Sequence, residues 1–192
     1  MKASELIARA LQASPDSAER VLLAAAAFDT VVRAPLVLAG GAAQMIHTGH
    51  PRLTDIDMVG PVDSRDKAAL SESGFGRDGR HWVCGAGADE LAIEVPSETL
   101  FGEDPPELVE VEGVVVRVIS INDLMMDRLI QATDGTPVTW EEALALAIAA
   151  QDRIDWSLIE ARCRTAQEED FFLRNLPMVL DRIMRLLPAE LA

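Results

Sequence analysis

The sequence predicts an α+β fold: a β-sheet core with flanking helices over residues 1–119, followed by a helical subdomain over residues 120–192. Two observations carry that prediction. Up to residue 119, short stretches of strand length recur between helical patterns, and after it they stop. Beyond it every patterned stretch has helical spacing, and three of the four open on a cap residue: Ser120, Thr139 and Asp155. Composition agrees, since 49% hydrophobic and 26% charged residues describe a chain able to bury a core.

Residues 3–12 place Leu6, Ile7, Ala10 and Leu11 at the spacing of a short amphipathic helix. Ser14 reads as the N-cap of a second helix, with Pro15 at its first position, running to about Phe28. Residues 31–39 read as the first core strand, 42–48 as a helix and 55–59 as the second strand. Gly60-Pro61 ends that strand, and residues 64–73 have helical composition closing at Gly74. Asp78-Gly79 inside FGRDGRHWV is a hairpin signal, giving two short strands or a strand and a bulge. Residues 89–95 alternate as a strand, with Leu91, Ile93 and Val95 on one face and Glu90, Ala92 and Glu94 on the other. Residues 101–107 form a loop on composition, and 108–119, with Glu112-Gly113 at the middle, a hairpin or bulged strand. Helices follow from Ser120 to Leu129, over 140–151 with Glu142 in a capping box, over 156–166, and over 168–187 interrupted at Pro177.

No apolar run approaches the roughly 20 residues that span a bilayer, and the first residues lack the pattern of a signal peptide. The expectation is a cytoplasmic protein with no membrane association. Cys84 and Cys163 sit in no metal or disulfide spacing and read as buried or partly buried free thiols. The net charge of -15, from 32 acidic against 17 basic residues, weighs against nonspecific nucleic-acid binding. An RNA substrate would need a local basic patch, for which Arg52, Arg77 and Arg80 are the candidates; a metal–nucleotide complex or a basic protein partner fits the balance more easily. Trp140, Trp156, Met125 and Met126 read as packing residues. Leu176, Val179, Leu180, Ile183 and Leu187 form a stripe suited to a core or a homo-oligomer face.

The chemistry concentrates in residues 35–59, PLVLAGGAAQMIHTGHPRLTDIDMV. A short apolar run ends on Gly40 and Gly41, as a buried strand does when it turns tightly into a helix whose first N–H groups face an anion. Asp55 and Asp57 then share one face of a strand while Ile56 and Met58 take the other. Two adjacent carboxylates repel, so a positive group belongs between them, and Mg2+ with its preference for hard oxygens and substrate phosphates is the natural one. His47 and His50 read as helix-end and loop residues, because a site of hard oxygens has no need of imidazole.

An apolar residue, Gly-Gly, an intervening stretch and Asp-apolar-Asp resemble the signature of the nucleotidyltransferase superfamily with a DNA polymerase beta type of core. Gly-Gly-Ala followed by Arg-Leu-Thr-Asp-Ile-Asp is similar, more narrowly, to bacterial AbiEii-like proteins, some of which are toxins of toxin–antitoxin pairs. The resemblance implies a nucleotidyltransferase-like mixed β-sheet core. It also implies Mg2+-dependent transfer of a nucleoside monophosphate from a nucleoside triphosphate to an acceptor hydroxyl on a tRNA, a protein or a small molecule. Asp55, Asp57 and a third carboxylate, Glu94 with Glu90 as its competitor, would be catalytic and hold metal. Gly40, Gly41, Arg52, Thr54 and Arg128 would contact the nucleotide, Arg128 in place of a family lysine on a helix that also carries Asp123. In the narrower group the pattern is Arg-x-Thr-x-Asp, whereas here Thr54 abuts Asp55. An antitoxin would be the partner if the chain is a toxin, and two rivals stand beside the transferase reading: a glycosyltransferase using Asp-x-Asp, and a degenerate, non-catalytic regulator that binds nucleotide or a partner.

Overall fold

The structure, a computed structural model, describes residues 2–50 and 55–187, the side chain of Ala88 excepted. Arg52 and Thr54 therefore lie outside the described residues. The chain divides into two compact units, one of Met1–Leu100 with Pro105–Ile119 and the other of Phe101–Asp104 with Ser120–Ala192.

The first unit begins with α1 (Ala3–Gln12) and α2 (Ala18–Val31). The N-cap of α2 is Ser17 rather than Ser14: its hydroxyl accepts the Arg20 N–H at 3.2 Å and donates to the Ser14 carbonyl at 2.7 Å. Buried Arg20 holds the start in place by donating to the Asp89 carbonyl at 2.8 Å. Ala24 to Phe28 are fully or almost fully buried, so α2 packs on nearly all sides, and Phe28 meets Phe75 edge to face at 5.3 Å. That helix continues to Val31, which shortens the expected strand 31–39 to β1 (Val37–Ala39). The connecting turn is set by the Asp29 carboxylate accepting the Leu36 N–H at 2.8 Å.

Next come α3 (Gly40–Thr48), β2 (Ile56–Val59), α4 (Ser64–Glu72), β3 (Gly76–Asp78), β4 (His81–Cys84), β5 (Leu91–Glu94), β6 (Glu107–Val111) and β7 (Val114–Val118). Among the described residues they form one seven-stranded sheet, ordered β3-β4-β5-β2-β1-β7-β6. Strand β2 runs antiparallel to β1 and parallel to β5, and β1 runs parallel to β7, so the sheet is mixed as expected. Ile56, Met58, Leu91 and Ile93 are buried on one face, and the charged residues of β2 and β5 fall on the other.

The second unit packs α5 (Ile121–Ala132), α6 (Pro137–Ala149), α7 (Trp156–Glu169) and α8 (Leu176–Met184). Thr136, not Thr139, caps α6, because Pro137 fits the first helical position, where a missing N–H costs nothing. Glu142 is then no capping-box partner but faces Arg128 at 3.5 Å. The expected helix 168–187 is two pieces: α7 ends at Glu169, a 3-10 turn spans Phe171–Leu173, and Pro177 lies in the first turn of α8 instead of interrupting it. Segment Phe101–Asp104 joins this unit through Asp123, whose carboxylate accepts the N–H groups of Glu103 at 3.2 Å and Asp104 at 3.0 Å. Arg162 closes the cluster, reaching Asp123 at 2.9 Å and Asp104 at 2.7 Å. No helix among the described residues is long and apolar enough to cross a membrane.

Candidate functional site

The site starts where β1 gives way to α3. Gly40 stands at this bend with φ of +61°, a conformation that L side chains adopt only under strain. Ala39, one residue earlier, pairs with Asp57 across β1 and β2. This register lays the Asp57 carboxylate on Gly40: a Cβ at residue 40 would sit 1.9 Å from Asp57 Oδ2. Hydrogen is the only side chain that the position admits. The carboxylate thus lies at the start of α3, where unpaired N–H groups and the helix dipole favour negative charge.

Asp57 pairs in turn with Glu94 across the parallel β2–β5 ladder. Asp55, immediately before β2, shares the face of Asp57 by the period of two. The β4–β5 register, Trp82 opposite Ile93, sets His81 beside Glu94. His81 Nε2 lies 3.1 Å from Asp55 Oδ2 and 3.7 Å from Glu94 Oε2. Arg80, in the β3–β4 turn, places Nε 3.2 Å from Glu94 Oε2 and 3.4 Å from His81 Nε2. Asp55, His81 and Glu94 each offer one ligand atom, all within 4.8 Å of one another. Carboxylates brought this close repel unless a positive group lies near them, and the Arg80 guanidinium lies against Glu94.

Asp55, Asp57 and Glu94 therefore share one face of the sheet, Asp57 on the Gly40 bend and Asp55 and Glu94 in the group with His81, while Glu90 lies exposed ahead of β5. Gly41 follows in the first turn of α3. Arg128 lies on α5 in the helical unit, where its Nη1 donates to Gln131 Oε1 at 2.7 Å and lies 3.8 Å from Asp127 and 3.5 Å from Glu142. His47 is structural, its Nε2 2.8 Å from the Ile119 carbonyl. His81 is the residue that reading the sequence passed over. Only the hairpin register against β5 reveals that it shares a face with Glu94. Arg77 and Arg80, two of the three candidates for a basic patch, line a cleft of about 210 Å³ together with Lys67, Trp82 and Glu98.

No protein-family model matches the chain, and no curated protein matches it. Among solved structures, it is similar to an antigenic nucleotidyltransferase-like protein from Paracoccidioides brasiliensis, at 14% identity and a TM-score of 0.52 over 88% of this chain and 95% of that one. The likeness is one of fold: the mixed sheet and its helices form a nucleotidyltransferase-like arrangement. Looser superpositions link it to the antibiotic-resistance factor ANT(2'')-Ia in solution, with 18% identity and a TM-score of 0.40 over 96% of this chain and 95% of that one. The crystal structure of ANT(2'')-Ia with adenylyl-2''-tobramycin gives 17% identity and a TM-score of 0.38 over 86% of this chain and 93% of that one. Neither of these two is close enough to add to the fold assignment.

Proposed function

We propose that this chain binds a nucleoside triphosphate with a divalent cation, Mg2+ in the first instance, and transfers a nucleoside monophosphate to an acceptor hydroxyl. The observation that supports this most is the seating of the Asp57 carboxylate on Gly40, with Glu94 paired to Asp57 and Asp55 on the same face. The donor set fits the ion, since Asp55, Asp57 and Glu94 supply the hard oxygens that Mg2+ takes, and these three residues would hold it. A divalent ion, when bound, neutralises charge on the entering and leaving oxygens of an in-line displacement. Gly40 and Gly41 let the backbone pass close to the phosphates, toward which the first N–H groups of α3 point. Arg52 and Thr54 flank the carboxylates in sequence and complete the nucleotide contacts.

The acceptor is a hydroxyl of a tRNA end, a protein side chain or a small molecule. The run from Arg52 to Asp57, similar to AbiEii-like proteins, supports the narrower proposal that the chain is the toxin of a toxin–antitoxin pair, its acidic surface suited to a basic partner. A second reading, a non-catalytic nucleotide-binding regulator, draws support from Arg80, whose guanidinium already pairs with Glu94.

The test is calorimetric titration of the full chain with ATP and Mg2+, followed by incubation with each labelled nucleoside triphosphate and candidate acceptors. Label transfer that Asp57→Ala abolishes establishes the enzyme. Binding without transfer assigns the regulator, and the absence of both refutes the two readings together.

A further inference from the structure

We infer that His81 is a metal ligand and sets the ion preference of this site, so that the cation held by the protein alone is a borderline transition ion rather than Mg2+. The inference rests on reading Asp55 and Glu94 as cation ligands, and it adds a residue and a chemical class to that reading.

Nε2 of His81 forms a triangle with the two carboxylate oxygens, 3.1 Å from Asp55 Oδ2 and 3.7 Å from Glu94 Oε2. The three ligand atoms fall within 4.8 Å of one another, a span that one ion at their centre bridges with small rotamer shifts. Two strands bring them together: β4 delivers His81 through the Trp82–Ile93 pairing, and β5 delivers Glu94. Trp82 is buried beside Phe28 with ring centroids 6.3 Å apart, which anchors the strand that carries His81. The donor is therefore positioned by core packing rather than by a free loop.

Chemistry then decides the ion. Mg2+ demands near-ideal octahedral oxygen coordination and keeps its waters, so an imidazole in its shell contributes little. Imidazole suits the later first-row ions, and their affinity for a mixed nitrogen–oxygen site rises from Mn2+ through Co2+ and beyond. A site built only to receive Mg2+ with its nucleotide has no use for a nitrogen among its ligands. Arg80 occupies the same ground, with its Nε 3.2 Å from Glu94 Oε2 and 3.4 Å from His81 Nε2. Its side chain is 70% exposed, so a cation can displace the guanidinium into solvent at little cost.

The test uses the full chain, stripped with a chelator and titrated calorimetrically with CoCl2 and separately with MgCl2, without nucleotide. Wild type is compared with His81→Ala and with His81→Gln, which keeps a polar group and offers an oxygen, folding being checked by circular dichroism. The expected result is Co2+ binding at least about tenfold tighter than Mg2+. Both variants should lose about tenfold or more of the Co2+ affinity while Mg2+ affinity changes less than about twofold. The inference is overturned if the folded variants keep the wild-type ratio of Co2+ to Mg2+ affinity, or if wild type binds Co2+ no better than Mg2+. Label transfer measured in parallel separates the two proposals. Transfer with a His81-independent ion preference refutes the ligand and leaves the transferase, whereas His81-dependent cobalt binding without transfer does the reverse.

Discussion

Replacing Gly40 with alanine perturbs the site at its narrowest point, and the structure divides the cost into two parts. The first is backbone: φ of +61° places an L residue in the left-handed region, at about 1–2 kcal/mol. The second is steric, because the new Cβ would stand 1.9 Å from Asp57 Oδ2 and 2.9 Å from its Cγ, so the carboxylate has to leave its place. Expelling it adds at least about 1 kcal/mol of rotamer strain, for a total of about 2–4 kcal/mol. Gly49 supplies the control. Its φ is +71° and nothing lies within 4 Å of a Cβ there, so Gly49→Ala should bear the backbone part alone. Urea unfolding of wild type, Gly40→Ala, Gly49→Ala, Asp57→Ala and the Gly40→Ala/Asp57→Ala pair measures each part, and the double-mutant cycle should show a coupling of about 1–2 kcal/mol. Equal costs for Gly40→Ala in the presence and absence of the Asp57 carboxylate would refute the claim that the bend exists to seat that side chain.

Three further outcomes follow from the rest of the molecule. Arg33 donates to Asp66 and pairs with Asp63, holding both carboxyls below the ordinary 3.8; for Asp63, brought down to about 2, the Asp66 N–H contributes most and Arg33 next. Depressed carboxyls stabilise the fold above pH 4 and lose that contribution as pH falls toward 2, so Arg33→Met should flatten the acid limb of a plot of Tm against pH, and an unchanged limb would contradict the pairing. Burial pushes the Cys84 thiol up to about 11 and the Cys163 thiol up to about 12, so neither should react with Ellman's reagent at pH 8 until the chain is unfolded, when both should. Arg162→Ala leaves Asp123, 2% exposed, without its cation and should cost about 3 kcal/mol in urea unfolding, with Arg162→Lys recovering part of it. A loss below about 0.5 kcal/mol would show that the Asp104–Asp123–Arg162 cluster contributes little.

Much of the fold was legible because it depends on local rules. Alternation along β5 separated Leu91 and Ile93 from Glu94, and the turn residues at Asp78-Gly79 and Glu112-Gly113 marked the two hairpins that bound the sheet. Helix starts were read less well, since Ser14 and Ser17, like Thr136 and Thr139, are equivalent as caps from composition alone. The choice fell to partners remote in sequence or to a neighbouring proline: Asp89 for Arg20 in one case, Pro137 in the other. Proline at residue 177 was ambiguous for the same reason, as it either breaks a helix or opens one.

By itself the sequence determined which residues share a face within one strand or helix, since that follows from the period of the backbone. It placed Asp55 with Asp57 and marked Gly40 as a bend. Only the tertiary structure decided which strands are neighbours, and with that the meeting of His81 and Arg80 with Glu94 and the packing of Asp57 onto Gly40. Sheet order and register minimise the free energy of the whole core at once, through burial summed over all the strands, so no local stretch of sequence encodes them.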